Sequence, residues 1–431
     1  VARRPVVAIS LVGGLLAVSV VLGRLAVGHA YGPLAGTTTP LTAAIVLLGV
    51  IAVACFALDR DPTVRALAAA GAGLKLLGGA ARKGAFPFIY PGSPDADFYD
   101  YAARRTLELR EAGVADPSVL FGNRGEGTQV IITAVTELYE IIGPNQATGF
   151  AVFALVSWFG LAAFYRAGVN GIPGLDRRRY AALVFLLPSL WFWPSSVGKE
   201  AWMITFLGLG ALGASHLLGP RFRIRGVPFL AGGLAGAAVV RPHLAVIAAL
   251  ALAGALAWPS SPMRGLQRLL VIGFAAVALT LAVGAVRDFF GMDRFTGTSG
   301  TEGLATVDDV LEQVKERTAQ GGSEFDPVPA TTPAAFPMAL FTVLFRPVPL
   351  LDTSGEAQLV AAAEAALLMV LLAASWRRLA RIPALVLRHA YLRFALVYTA
   401  AFTIAFSYIA NFGILTRQRT QVLPLVLLLL A

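Results

Sequence analysis

Residues 95–100 read Asp-Ala-Asp-Phe-Tyr-Asp, so Asp95, Asp97 and Asp100 fall within one short stretch of a chain that is only 14% charged. The stretch follows an apolar run of membrane length, 64–81. A carboxylate in such a position can take the proton from an attacking hydroxyl at the membrane surface. Asp95 and Asp97 are the candidate bases, and Asp100 reads as the cap of a helix expected over 99–112. Basic groups recur at the ends of other apolar runs. Lys199 stands beside Glu200 after Pro194-Ser195-Ser196-Val197-Gly198, Arg241 and His243 flank Pro242, Arg346 opens Arg-Pro-Val-Pro, and Arg417 and Arg419 flank Gln418. Arginine offers a planar fork of donors and lysine a compact charge, both suited to phosphate. Taken singly, each is equally an anchor that snorkels to a lipid headgroup. As a set in short turns they point to one anionic ligand, whose departing phosphate they would stabilise.

Other chemistry is poorly represented. His29, His216, His243 and His389 are scattered without the spacing of a zinc site, so none of them is expected to ligate a metal. The one cofactor the pattern admits is a divalent cation shared by Asp95 and Asp97. The single cysteine, Cys55, excludes an internal disulfide and a cysteine cluster. The run 122–127 has the glycines of a phosphate loop but neither a preceding strand nor a following Lys-Ser or Lys-Thr, and reads as a linker. Lys75 and Glu364 lie inside apolar runs, where an ionisable group is functional by location, though snorkelling from a short third span would also explain Lys75. Trp158, Trp191 and Trp193 read as belt or core aromatics, the last two placed where they could also stack on a sugar.

The elements that must position these residues are membrane helices. Hydrophobic residues make up 57% of the chain and mean hydropathy is +0.71, whereas soluble domains are about 25% charged. Candidate spans fall at 5–28, 41–58, 64–81, 147–165, 180–194, 201–218, 227–240, 244–258, 268–286, 357–375, 391–409 and 419 onward. The expected fold is all-α, a polytopic membrane protein of about 11–13 transmembrane helices forming one domain over 1–431. The chain does not begin with Met and stops inside an apolar run, so both ends read as trimmed. With Arg3 and Arg4 inside, the inner connections hold 18 basic and three acidic residues, against 15 basic and 21 acidic outside. That asymmetry obeys the positive-inside rule. The net charge of +10 is thus a topology signal, not a nucleic-acid footprint. Two long outer loops result, 82–146 and 287–356. The first carries amphipathic interfacial helices over 99–112 and 128–142; the second carries a helix over 307–319. Parity requires 336–350 to be re-entrant or interfacial, broken at Arg346-Pro347. The pair 227–240 and 244–258 reads as two short spans hinged at Arg241-Pro242-His243, with one kinked span as the alternative.

Asp95-Ala96-Asp97-Phe98-Tyr99, in a first large outer loop, resembles the Asp-x-x-x-Tyr type of motif in membrane glycosyltransferases of the GT-C superfamily. The segments from Leu187-Pro188-Ser189 to Gly198-Lys199-Glu200, and from Asn411-Phe412-Gly413 to Arg417-Gln418-Arg419 with Pro424, are similar to those of bacterial membrane proteins from polysaccharide loci. The resemblance implies a GT-C-like fold and an outer-loop aspartate base, carried onto Asp95 or Asp97. Tyr99, Lys199, Glu200, Arg241, His243, Arg346, Arg417 and Arg419 would bind substrate. Ala96 departs from the common Asp-Glu pair, and the soluble C-terminal domain of many members is lacking. The implied partners are a polyprenyl-phosphate-sugar donor, a glycan or lipid acceptor and the lipid bilayer, at the outer face of the cytoplasmic membrane and without nucleic acid. The alternatives are a repeat-unit polymerase using polyprenyl pyrophosphate, and a transporter or flippase of lipid-linked saccharides. The absence of a fixed-period repeat argues against an inverted-repeat transporter.

Overall fold

The computed structural model describes residues 46, 49–84, 95–114, 121, 125–257, 265, 272, 273, 276, 315, 316, 318, 319, 323–353 and 356–431. The expected span 5–28, nearly all of 268–286, most of the 307–319 helix and residues 122–124 of the linker lie outside these. Among the described residues every regular element is a helix, with one isolated bridge between Glu324 and Asn411. Three helices are long and apolar enough to cross a membrane: Pro62–Gly84, Gln146–Gly171 and Lys199–Leu218. Ile382–Arg388 and Ala390–Phe406, bent by 118° at His389, make a fourth if they form one span.

Among the described residues fewer helices reach full length than the hydropathy suggests, because hydropathy registers apolar content and not continuity. The run 180–194 is cut at Leu187, which is extended ahead of Pro188, a position where proline disfavours the helical region. Similar cuts fall at Arg241-Pro242 and Arg346-Pro347.

The chain divides into two compact units, residues 1–162 with 177–205, and residues 163–176 with 206–431. The first contains α1 (Gly49–Leu58), α2 (Pro62–Gly84), α3 (Asp95–Glu111), α4 (Glu126–Ile142), the start of α5 (Gln146–Gly171), α6 (Arg177–Leu186), α7 (Pro188–Phe192) and the first residues of α8 (Lys199–Leu218). Here α2 packs on α6 and α7, and the buried Trp158 of α5 donates its indole N–H to the Ala68 carbonyl at 2.8 Å. The expected amphipathic helices exist as α3 and α4, which pack on each other. Ala96, Tyr99, Ala102, Ala103 and Thr106 are buried on α3, and Ile131, Ile132, Val135, Thr136 and Tyr139 on α4. Fully burying each of the larger apolar side chains contributes roughly 1.5–3 kcal/mol. The charged side stays wet, with Arg110 bridging Glu137 at 3.1 Å and Glu140 at 2.5 Å.

The second unit continues α5 and α8 and adds α9 (Gly226–Ala238), α10 (Pro242–Ala257), α11 (Phe336–Phe345), α12 (Glu356–Ala374), α13 (Trp376–Leu379), α14 (Ile382–Arg388), α15 (Ala390–Phe406), α16 (Phe412–Gln418), a 3-10 turn (Arg419–Gln421) and α17 (Leu423–Leu430). The helices α9 and α10 pack against each other, which favours the two-helix reading of 227–258. Gly233 of α9 meets the backbone of Gly210 on α8 so closely that a Cβ would collide, the small-residue contact by which apolar helices approach in lipid. An aromatic column on α15, Tyr391, Phe394, Tyr398, Phe402 and Phe406, has consecutive ring separations of 4.0–6.4 Å.

Candidate functional sites

In the first unit Asp95 and Asp97 belong to the first turn of α3, not to a loop ahead of it. Side chains two apart on a helix diverge. Asp95 and Asp97 therefore meet different surroundings, and a cation shared by the two does not fit this geometry. Among the described residues there is no group of three or more His, Cys, Asp or Glu that could hold a metal ion. Asp97 accepts a hydrogen bond from Gln146 Nε2 at 2.7 Å. Asp95 lies one turn before Tyr99, on the same face. Tyr99 is buried, and its Cε2 is 4.0 Å from where a Cβ on Gly198 would stand, while Glu200 Oε2 is 3.4 Å from the same point. The structure thus brings Tyr99 to the Gly198-Lys199-Glu200 segment at the start of α8.

Asp100 is not a cap. Because the helix begins at least five residues earlier than Asp100, its carboxylate is free to pin α3 to α4. Tyr139 donates its hydroxyl to Asp100 at 2.5 Å, and Arg104 Nε donates to the other oxygen at 2.9 Å. Burial, and then the bond to Asp100, push the Tyr139 hydroxyl up from its ordinary pKa of 10.0.

The turn that carries Lys199 is held from below by α2. Lys75 is wholly buried and donates to Ser157 Oγ at 2.7 Å and to the Pro194 carbonyl at 3.1 Å. Two turns along the same face, Arg82 donates to the Trp193 carbonyl, with its guanidinium 5.5 Å from the Trp193 ring centre. Between them Gly78 and Gly79 let the turn approach. A Cβ on Gly78 would lie 2.6 Å from the Trp191 carbonyl oxygen, and one on Gly79 would lie 2.9 Å from that of Ser195. Lys75 is therefore an internal strut to the turn's backbone, and no snorkelling is needed to explain it.

In the second unit, four of the singled-out arginines gather around α16 and its 3-10 turn. Arg241 Nη1 donates to Gln418 Oε1 at 2.7 Å, and Gln421 Nε2 donates to the same oxygen at 2.7 Å. Arg419 is wholly buried, with Nη1 donating to the carbonyls of Arg346 at 3.0 Å and Leu344 at 3.4 Å. Its remaining edge, Nε and Nη2, has no hydrogen-bond partner, nor has Gln421 Oε1, and Glu364 acts on the guanidinium electrostatically. An arginine edge of that kind matches an oxyanion bidentately. Arg346 uses the same edge on Asp352, at 2.9 and 2.5 Å, and lies over the stacked rings of Phe325 and Phe412. Arg417 is half-buried on α16, its Nε donating to the Gly413 carbonyl at 3.3 Å. His243 packs its ring 5.9 Å from that of Phe406. Of these groups Arg346 already holds a carboxylate, whereas Nε and Nη2 of Arg419 are buried without an acceptor.

Several partners escaped the sequence reading. Gln146, Ser157, Gln418 and Gln421 are neutral amides or hydroxyls, which nothing in a charge pattern distinguishes. Asp352 had a signal, since it lies six residues from Arg346 across two prolines and a turn of that length can close on itself. No family model, no curated protein and no solved structure matches this chain.

Proposed function

We propose that the protein is a membrane glycosyltransferase, moving a sugar from a polyprenyl-phosphate-linked donor to an envelope glycan or lipid acceptor at the outer face of the cytoplasmic membrane. The observation that carries this reading is the approach of Tyr99 to Gly198, at the start of the Lys199-Glu200 segment far away in sequence. It supports a single locality that combines the Asp95 face of α3 with Tyr99, Lys199 and Glu200.

Asp95 is the preferred base, since it shares the face of Tyr99 on α3. The acceptor hydroxyl attacks the anomeric carbon and gives its proton to Asp95. The bond from that carbon to the phosphate oxygen breaks, and its electron pair leaves with the phosphate. Lys199, at the start of α8 in the same unit, has the chemistry to meet that phosphate. A repeat-unit polymerase acting on a pyrophosphate would use the same groups.

The test is transfer by purified protein in lipid from a labelled polyprenyl-phosphate sugar. Asp95→Asn is expected to lose on the order of 100-fold or more, the range for a general base, with Asp97→Asn much less affected. Full activity in both variants would remove α3 from the reaction. Buried polar atoms of Arg419 and Gln421 that have no hydrogen-bond partner favour, as a second reading, passage of a lipid-linked saccharide through the protein. Lipid translocation into vesicles without sugar release would select it.

A further inference from the structure

We propose that the turn from Arg346 to Asp352 is a rigid lipid anchor, whose Leu350 and Leu351 enter the acyl layer of the bilayer. Leu350 is 95% exposed and Leu351 82%. Two adjacent leucines left this bare are a surface that seeks an apolar partner.

The turn is built to hold them out. Asp352 closes it by accepting from Arg346 Nε, Arg346 Nη2 and the Val348 amide, the last at 2.7 Å. The amides of Leu351 and Asp352 both donate back to the Val348 carbonyl. From the protein side the buried Arg419 grips the Arg346 and Leu344 carbonyls. Leu350 has φ of 69°, a left-handed conformation that leucine seldom adopts and that a loosely held turn would relax.

The flanking helices identify the occupant. On α11, Met338 and Phe341 are exposed three residues apart, on one face. On α12, every position classed as exposed from 358 to 374 is apolar, with Leu359, Val360, Leu367 and Val370 the largest. The two helices pack together, so the leucine pair continues an apolar flank. Helix α12 is shorter than the three full-length spans, yet its 19 residues rise about 28 Å, close to the roughly 30 Å of a hydrocarbon core. Its far end meets Trp376, Arg377 and Arg378, the residue types of a headgroup boundary. The turn then falls at the opposite boundary. There the leucines reach into acyl chains, and the Arg346–Asp352 pair sits among headgroups. A flank of this length, with no charge on its exposed side from Gln358 to Ala374, fits a bilayer better than a second copy of the chain. The inference does not depend on the glycosyltransferase reading.

Site-directed fluorescence tests it. Leu350→Cys and, separately, Leu351→Cys are made in a Cys55→Ser background, labelled with an environment-sensitive dye and reconstituted in phosphatidylcholine vesicles. Neither leucine packs inside the protein, so both variants are expected to fold. The expected result is protection from aqueous iodide, severalfold relative to the same protein unfolded, together with quenching by lipids carrying a nitroxide high on the acyl chain. Iodide access equal to that of the unfolded chain overturns the proposal. So does protection without lipid quenching, which would mean that protein covers the turn.

Discussion

Asp352→Asn tests whether the Arg346 turn is as firmly closed as its bonds imply. In the native turn one carboxylate accepts two guanidinium donors and a backbone amide, with the Asp352 side chain 9% exposed and that of Arg346 22% exposed. Removing a charged acceptor from a hydrogen bond costs about 1.5–3 kcal/mol, and breaking a fully buried pair costs about 3–5. Arg346 keeps some water, the Asp326 carbonyl at 3.2 Å and the rings of Phe325 and Phe412. Those retained contacts place the expected loss at about 2–3 kcal/mol. It is measured as a change in unfolding free energy by denaturing-detergent titration of protein in mixed micelles at pH 7. The pH dependence gives an independent check. The Arg346 hydrogen bonds, and then the Val348 amide, hold the Asp352 carboxyl below its ordinary 3.8. A carboxyl depressed in the folded state stabilises fully above its unfolded value and loses that contribution as pH falls through the folded one. The wild type should therefore exceed the variant by the full amount at neutral pH, and the two should converge as pH drops well below 3.8. A difference within about 0.5 kcal/mol at pH 7, the scatter of ordinary surface substitutions, or parallel acid curves, would refute the reasoning.

Tyr139→Phe removes one donor from Asp100 while Arg104 remains, and should cost about 1–2 kcal/mol in the same titration. Gly78→Ala would push a methyl to 2.6 Å from the Trp191 carbonyl oxygen; a loss of about 1–3 kcal/mol is expected, with faster amide exchange across 193–199. Lys75→Met replaces a buried amine that bonds a hydroxyl and a carbonyl by an apolar chain of similar length. Stability should change by no more than about 1 kcal/mol, yet amide exchange at 195–199 should rise, because the strut to Pro194 is gone. Leu350→Gly relieves a positive φ and should stabilise the detergent-solubilised protein by about 1 kcal/mol, whatever it does to lipid contact.

What the sequence revealed, and what it hid, divides along the reach of each signal. Periodicity is local, and it located α3 and α4 to within a few residues because their buried stripes are complete within each helix. Apolar content is local as well, but helix length depends on single prolines, so 180–194 looked like a span and is two helices. The grouping of Arg241 with the Arg417–Arg419 segment was legible as charge in short turns, though its mediator, Gln418, was not. Lys75 is the most instructive residue in this respect. A lone lysine in an apolar helix signals either function or a route to the surface. The third outcome, capture of its amine by Ser157 and by a carbonyl at the end of a broken helix, depends on packing partners 82 and 119 residues away. The same break that frees the Trp193 and Pro194 carbonyls also sets the start of α8, where half-buried Lys199 and buried Glu200 stand. A discontinuity in a membrane helix leaves backbone groups that lipid cannot satisfy. Strut and candidate site therefore share one cause: the break that frees those carbonyls also starts α8 at Lys199 and Glu200, in the segment that meets Tyr99.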